Sequence, residues 1–142
     1  MKRKSSFLLK WSCGGLFWFS SCTNTSSTTE NYRAIYDRDT AYLELNRSEK
    51  NFHGKYKIIH PGNTMDSGDV RGKIIKDTLT GDFYYRPYGW AQKQRKPFAL
   101  LQENDKLILG TGMYLEYMGI PYYKPGTHNF EERNFIFEKT YP

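Results

Sequence analysis

The chain has 142 residues, 38% of them hydrophobic and 17% aromatic, and a formal net charge of +6. Four of its 21 Lys and Arg (Lys2, Arg3, Lys4 and Lys10) lie in the first ten residues, whereas all 15 Asp and Glu lie beyond residue 22, which leaves 17 against 15, or +2, for the remainder. A charge that small carries no electrostatic footprint for nucleic acid. The two cysteines, Cys13 and Cys22, sit near the start, so residues 23–142 can form no disulfide, thiolate metal site or cysteine nucleophile.

The first element in chain order is not a fold element. Lys2, Arg3 and Lys4 form a positive start, and Trp11 to Phe19 is an apolar run far shorter than the ~20 residues of a membrane-spanning helix but within the range of a secretory signal. Phe19-Ser20-Ser21-Cys22 follows, with small residues immediately before a cysteine. This segment resembles the lipobox of bacterial lipoproteins, although Phe19 stands where an aliphatic residue is usual. The resemblance implies a signal peptide over 1–21, cleavage before Cys22 and diacylglycerol on its thiol. Residues 22–30 then read as the lipidated cysteine and a disordered tether, because Thr23-Asn24-Thr25-Ser26-Ser27-Thr28-Thr29 has nothing apolar to bury. With no acidic run directly after the cysteine and no Asp next to it, the expected address is the bacterial outer membrane, lipid-anchored and facing the periplasm.

Residues 31–142 read as one β-barrel-like domain. Tyr32 to Tyr36 is a first strand. In the next, Ala41, Leu43 and Leu45 alternate with Tyr42, Glu44 and Asn46. Phe52, Gly54, Tyr56 and Ile58 share one face of a third, and His60-Pro61-Gly62-Asn63 ends it. Asp66-Ser67-Gly68-Asp69 reads as a turn rather than a cation loop, since the other acids of a calcium motif are missing. Val70, Gly72 and Ile74 form a strand that turns at Lys76-Asp77-Thr78 into Leu79, Gly81, Phe83 and Tyr85. Two further strands, Lys96 to Gln102 and Lys106 to Gly112, meet at Glu103-Asn104-Asp105; an excursion over Gly119 to Gly126 and a closing strand, Asn134 to Lys139, complete the chain.

No segment has a helical period. The spacing predicts an all-β fold, a small antiparallel up-and-down barrel of about seven to eight strands, with a sandwich as the second choice. Within it, Gly72-Lys73-Ile74-Ile75-Lys76-Asp77-Thr78-Leu79-Thr80-Gly81-Asp82-Phe83 resembles a Gly-x-Ile-x-x-Asp-Thr-Leu-x-Gly-x-Phe hairpin of small β-rich bacterial lipoproteins. That resemblance implies a β-rich lipoprotein domain and transfers no catalytic residue.

Chemistry-bearing patterns are sparse. His53, His60 and His128 have no second ligand at a metal spacing, and Ser48 and Ser67, the serines beyond the tether, lie outside any Gly-x-Ser-x-Gly. The expectation is a protein that is not an enzyme and has neither cofactor nor metal. Aromatics are the richer signal. Tyr85, Tyr88 and Trp90 run off a strand into a loop followed by basic Arg95, and Tyr117, Tyr122 and Tyr123 cluster on the later excursion. If both loops share one end of the barrel, they form an aromatic mouth for an envelope protein or glycan. The expected function is therefore a non-catalytic binding module anchored to the membrane through Cys22. The alternative is a lipocalin-like carrier of a small apolar ligand, which needs a cavity of about 300 Å³ or more inside the barrel.

Overall fold

The computed structural model describes residues 28–141. The signal, the lipobox and Cys22 lie outside the described residues. Ten strands follow: β1 Thr29–Tyr36, β2 Asp39–Arg47, β3 Asn51–Ile59, β4 Met65–Ile75, β5 Thr78–Arg86, β6 Gln94–Glu103, β7 Lys106–Leu109, β8 Tyr114–Tyr117, β9 Ile120–Tyr123 and β10 Ile136–Thr140. β1 begins at Thr29, so Thr29 and Glu30, assigned above to the tether, belong to the barrel wall. Asp66 to Asp69, read above as a turn, are inside β4, where they pair with Ile58 to Lys55. The wall needs those residues because β3 and β5 on either side are long enough to pair with them.

Eight strands close an antiparallel barrel in the order β1-β10-β7-β6-β5-β4-β3-β2. Every step is a meander, and the last seam is closed by Asn31 opposite Thr140 and Arg33 opposite Glu138. Closure leaves the barrel no exposed edge. β8 and β9 stand apart as a hairpin inserted between β7 and β10.

Alternation decides what is inside. Ala41, Leu43 and Leu45 on β2, Phe52, Tyr56 and Ile58 on β3, and Leu79 and Phe83 on β5 are buried, as their period-two spacing predicts. The Tyr56 ring sits at the centre, with centroids 4.9 Å from Phe83, 5.3 Å from Phe98 and 6.0 Å from Phe137. Gly72 and Gly81 face each other across β4 and β5. A Cβ on Gly72 would meet the Phe52 ring at 2.8 Å and the Gly81 Cα at 2.7 Å, so only glycine lets the wall coil this tightly.

The outer face is polar over much of its circumference: Glu44, Lys55 and Asp69 stand side by side on β2, β3 and β4. An apolar interior inside a charged exterior is the inverse of a barrel that spans a bilayer. On β6 and β7 the rule changes. Pro97, Ala99 and Ile108 point outward yet are buried, because β9 and the chain around it lie across that wall, with Pro121 buried between.

Candidate functional site

The barrel has two unlike ends. At the proximal end, where β1 begins, five polar residues, Glu30, Tyr32, Arg47, Gln102 and Lys139, continue the inward phase of their strands and close the bottom. Arg47 is in phase with Leu43 and Leu45, and Glu30 with Tyr32. The Arg47 Nε lies 3.0 Å from Glu30 Oε2, while its two terminal nitrogens donate to Gln102 Oε1 at 2.7 Å and to the Tyr32 hydroxyl at 2.9 Å. The Tyr32 hydroxyl donates in turn to Glu30 at 3.0 Å, and Lys139 Nζ donates to the second Glu30 oxygen at 2.8 Å. Burial alone would raise the Glu30 carboxyl. The hydrogen bonds from Lys139 and Tyr32, with the charges of Arg47 and Lys139, outweigh it and hold the carboxyl below its ordinary value.

The distal end collects the loops 37–38, 60–64 and 87–93. His60 stands between two acids, Asp39 at the start of β2 and Asp66, the second residue of β4: its Nδ1 is 3.0 Å from Asp39 Oδ2, and its Nε2 is 3.5 Å from Asp66 Oδ2. The other Asp66 oxygen accepts a hydrogen bond from the Tyr88 backbone N–H at 2.9 Å. That bond fixes the root of the 87–93 loop. The loop then turns through Gly89 (φ 76°), with the Trp90 N–H donating to the Pro87 carbonyl at 3.1 Å. Tyr88 and Trp90 are thereby held out into solvent, 65% and 59% exposed.

Beneath this rim, Tyr85 points into the barrel and stacks on Phe83 at 4.5 Å with rings nearly parallel. Lys96 shares the inward phase of Phe98, and its Nζ sits 5.4 Å and 4.9 Å from the Phe83 and Tyr85 centroids. Burial pushes the Lys96 ammonium below its ordinary pKa, against a smaller opposing pull from Asp66. Burial also raises the Tyr85 phenol. Deeper still, the Tyr56 hydroxyl is buried with no hydrogen-bond partner among the described residues, and burial, reinforced by the Asp39 charge, raises its phenol strongly.

The aromatic residues expected to share one mouth are separated. Tyr85, Tyr88 and Trp90 are at the distal end. Tyr117, Tyr122 and Tyr123 are on the β8–β9 hairpin, which crosses the outer wall in its proximal half. Ile120 and Tyr122 there line a groove of about 580 Å³ with Asn51, Arg71, Lys73 and Ile75. The strand direction explains the separation: β7 runs away from the proximal end but stops after four residues, so the excursion leaves from mid-wall rather than from the rim. Tyr123 is half-buried, edge-on to His128 at 6.2 Å, and serves to seat the hairpin. Arg95 belongs to neither cluster. It points out from β6, donates to Asp82 Oδ2 at 2.6 Å and lies 4.7 Å from the Tyr84 centroid. Arg71 Nε approaches the same Asp82 at 3.6 Å, so the carboxylate is clamped between two guanidinium groups.

Periodicity held a signal for the residues missed above. A charged side chain in the inward phase at a strand end, as with Arg47, Asp66 and Lys96, marks a plug or a mouth. His60 had no such signal, because its partners come from two other strands. Among the described residues, no group of three or more His, Cys, Asp or Glu side chains is arranged to hold a metal ion.

Fold and site together define a closed eight-stranded antiparallel barrel with a polar plug at one end and an aromatic rim at the other. No protein-family model, curated protein or solved structure matches the chain.

Proposed function

We propose that the protein is a lipoprotein of the bacterial cell envelope, anchored through Cys22, whose barrel is a non-catalytic interaction module that presents its distal rim to another protein. The observation that carries this reading is the rim itself. Tyr88 and Trp90 are exposed, yet the loop bearing them is pinned through Asp66, and Met65 and Tyr36 at the same end of the barrel are also exposed. Pre-positioned Trp and Tyr side chains are the residues that dominate protein–protein binding energy. The rim lies at the end of the barrel opposite to that where β1 leaves toward Cys22, so an anchored domain would hold it away from the membrane.

A protein is favoured over a glycan because the rim projects. The grooves of about 580 and 460 Å³ lie on the outer wall, and none opens among Tyr88, Trp90 and Met65. The carrier reading ranks second. A closed eight-stranded barrel suits it, but Tyr56, Phe83, Phe98 and Phe137 occupy the interior where its ligand would sit.

A photo-crosslinking residue placed at Trp90 in growing cells tests the reading, with Glu138 on the opposite wall as the control. A discrete adduct from position 90 that is lost on Tyr88→Ala supports it. Equal adducts from both positions, or none from either, refute it. Anchoring is tested separately by mass spectrometry of the mature amino terminus and by release of Cys22→Ser from the membrane fraction.

A further inference from the structure

The β8–β9 hairpin ends in a two-residue turn, Met118-Gly119, in which both residues have positive φ (50° and 75°). This is the geometry of a type I′ turn, where Asn or Asp is the favoured first residue because its short polar side chain tolerates the left-handed region. Methionine gains nothing from that backbone, and its side chain is 83% exposed. Tyr117 before it is 70% exposed, and Ile120 after it and Ile75 on the wall below are exposed as well. An apolar tip held in a strained turn and turned toward water points to a use for the side chain outside the fold.

The position of the tip says what it meets. Ile120 shares its groove with Asn51 at the start of β3 and with Lys73 and Ile75 at the end of β4, all at the proximal end. β1 begins at this same end, and only seven residue steps separate Thr29 from Cys22. Fully extended, that segment spans at most about 25 Å, and as a coil about 15 Å. A lipid on Cys22 therefore keeps the proximal end within a short reach of the bilayer, at an effective concentration where weak contact is enough. The charges at this end balance and do not oppose the approach: Lys50, Lys73, Lys76 and Lys106 stand against Glu49, Asp77, Glu103 and Asp105. Tyrosine beside methionine and isoleucine is the composition of an interfacial contact, with the phenol at headgroup level and the apolar side chains below.

We infer that the β8–β9 tip, Tyr117, Met118 and Ile120, is a membrane-docking element that seats in the lipid surface and fixes the orientation of the anchored barrel, with the Trp90 rim facing away. The inference rests on the anchoring at Cys22 proposed above.

The test uses the full lipidated protein reconstituted in vesicles of phosphatidylethanolamine and phosphatidylglycerol. Beyond Cys22 the chain has no cysteine, so Met118→Cys and Tyr88→Cys each offer one site for an environment-sensitive fluorophore. Docking predicts that the label at 118 shifts to shorter wavelength and loses intensity when nitroxide-bearing lipids are included, while the label at 88 does neither. Tyr117→Ser with Ile120→Ser should abolish the shift at 118 without lowering the melting temperature. If the protein sediments with vesicles but both labels report water, docking is overturned and anchoring stands. A shift at 118 that grows with protein density and is insensitive to nitroxide lipids means that a second copy covers the tip, which also overturns it. A protein that does not sediment with vesicles at all removes the anchoring and the docking together.

Discussion

Replacing Arg47 with Met removes the centre of the proximal plug while keeping the length of the side chain. The guanidinium makes an ion pair with Glu30 and donates to Tyr32 and Gln102. Both members of the pair are about three-quarters buried, with side-chain exposures of 25% and 22%. An exposed pair contributes about 0–1 kcal/mol, and stripping one partner from a fully buried pair costs about 3–5 kcal/mol. Lys139 still neutralises Glu30 in the variant, so the cost falls between these limits, at about 2 kcal/mol. For a domain of this size that is a fall in melting temperature of roughly 10 °C.

The pH dependence supplies a second reading of the same interaction. Glu30 is held below its ordinary pKa in the folded protein, so its contribution is fully present above the unfolded value of about 4.3 and is lost as pH falls through the lowered folded value. Urea unfolding should therefore show a large gap between wild type and Arg47→Met at pH 7 that narrows at pH 3. A double-mutant cycle with Glu30→Gln should return a coupling of about 1 kcal/mol or more. Additive effects, each below about 0.5 kcal/mol, or a gap that is the same at both pH values, would refute the plug as a coupled network.

Three more changes probe the interior. Gly81→Ala places a Cβ 2.6 Å from the Gly72 Cα and against the Arg71 carbonyl oxygen, and should cost about 2 kcal/mol or more in urea unfolding; a neutral result would show that the wall is not coiled as tightly as described. Tyr56→Phe deletes a buried hydroxyl without a hydrogen-bond partner among the described residues and should stabilise by about 1 kcal/mol; a loss of that size instead would mean that the hydroxyl is satisfied in solution. Lys96→Met should stabilise by about 1 kcal/mol at pH 7, because burial disfavours the ammonium more than its two aromatic neighbours favour it. Its folded pKa is lowered, so wild-type stability should gain on the variant as pH rises from that value toward about 10.4; parallel pH profiles would contradict this.

Much of the barrel was legible because alternation is a local property. Whether Leu43 faces inward depends on its neighbours Tyr42 and Glu44, and the same parity put Tyr56, Phe83, Phe98 and Phe137 in the core. Strand ends were read less well. β4 starts at Met65, five residues before the alternation around Val70 becomes clear, because Ser67 and Gly68 are held by pairing to β3 and β5 rather than by their own propensity. The excursion hid a hairpin for a similar reason. Met118-Gly119 is not a recognisable turn pair, and β8 and β9 are four residues each, too short for a period to show.

The sites divide along the same line. The sequence by itself determined the strand alternation, the meander, the absence of cysteine beyond Cys22 and the aromatic content of two loops, since each follows from residue type and spacing alone. Only the tertiary structure decided that the two aromatic loops lie apart, that Arg95 clamps Asp82 instead of serving a mouth, and that Glu30, Arg47 and Lys139 close one end while His60 joins Asp39 to Asp66 at the other. These partners come from different strands: Lys139 and Glu30 are 109 residues apart in the chain and meet only when β10 closes the barrel against β1. Contacts made by closing a barrel are set by register around its circumference, and no local pattern along one strand carries that information.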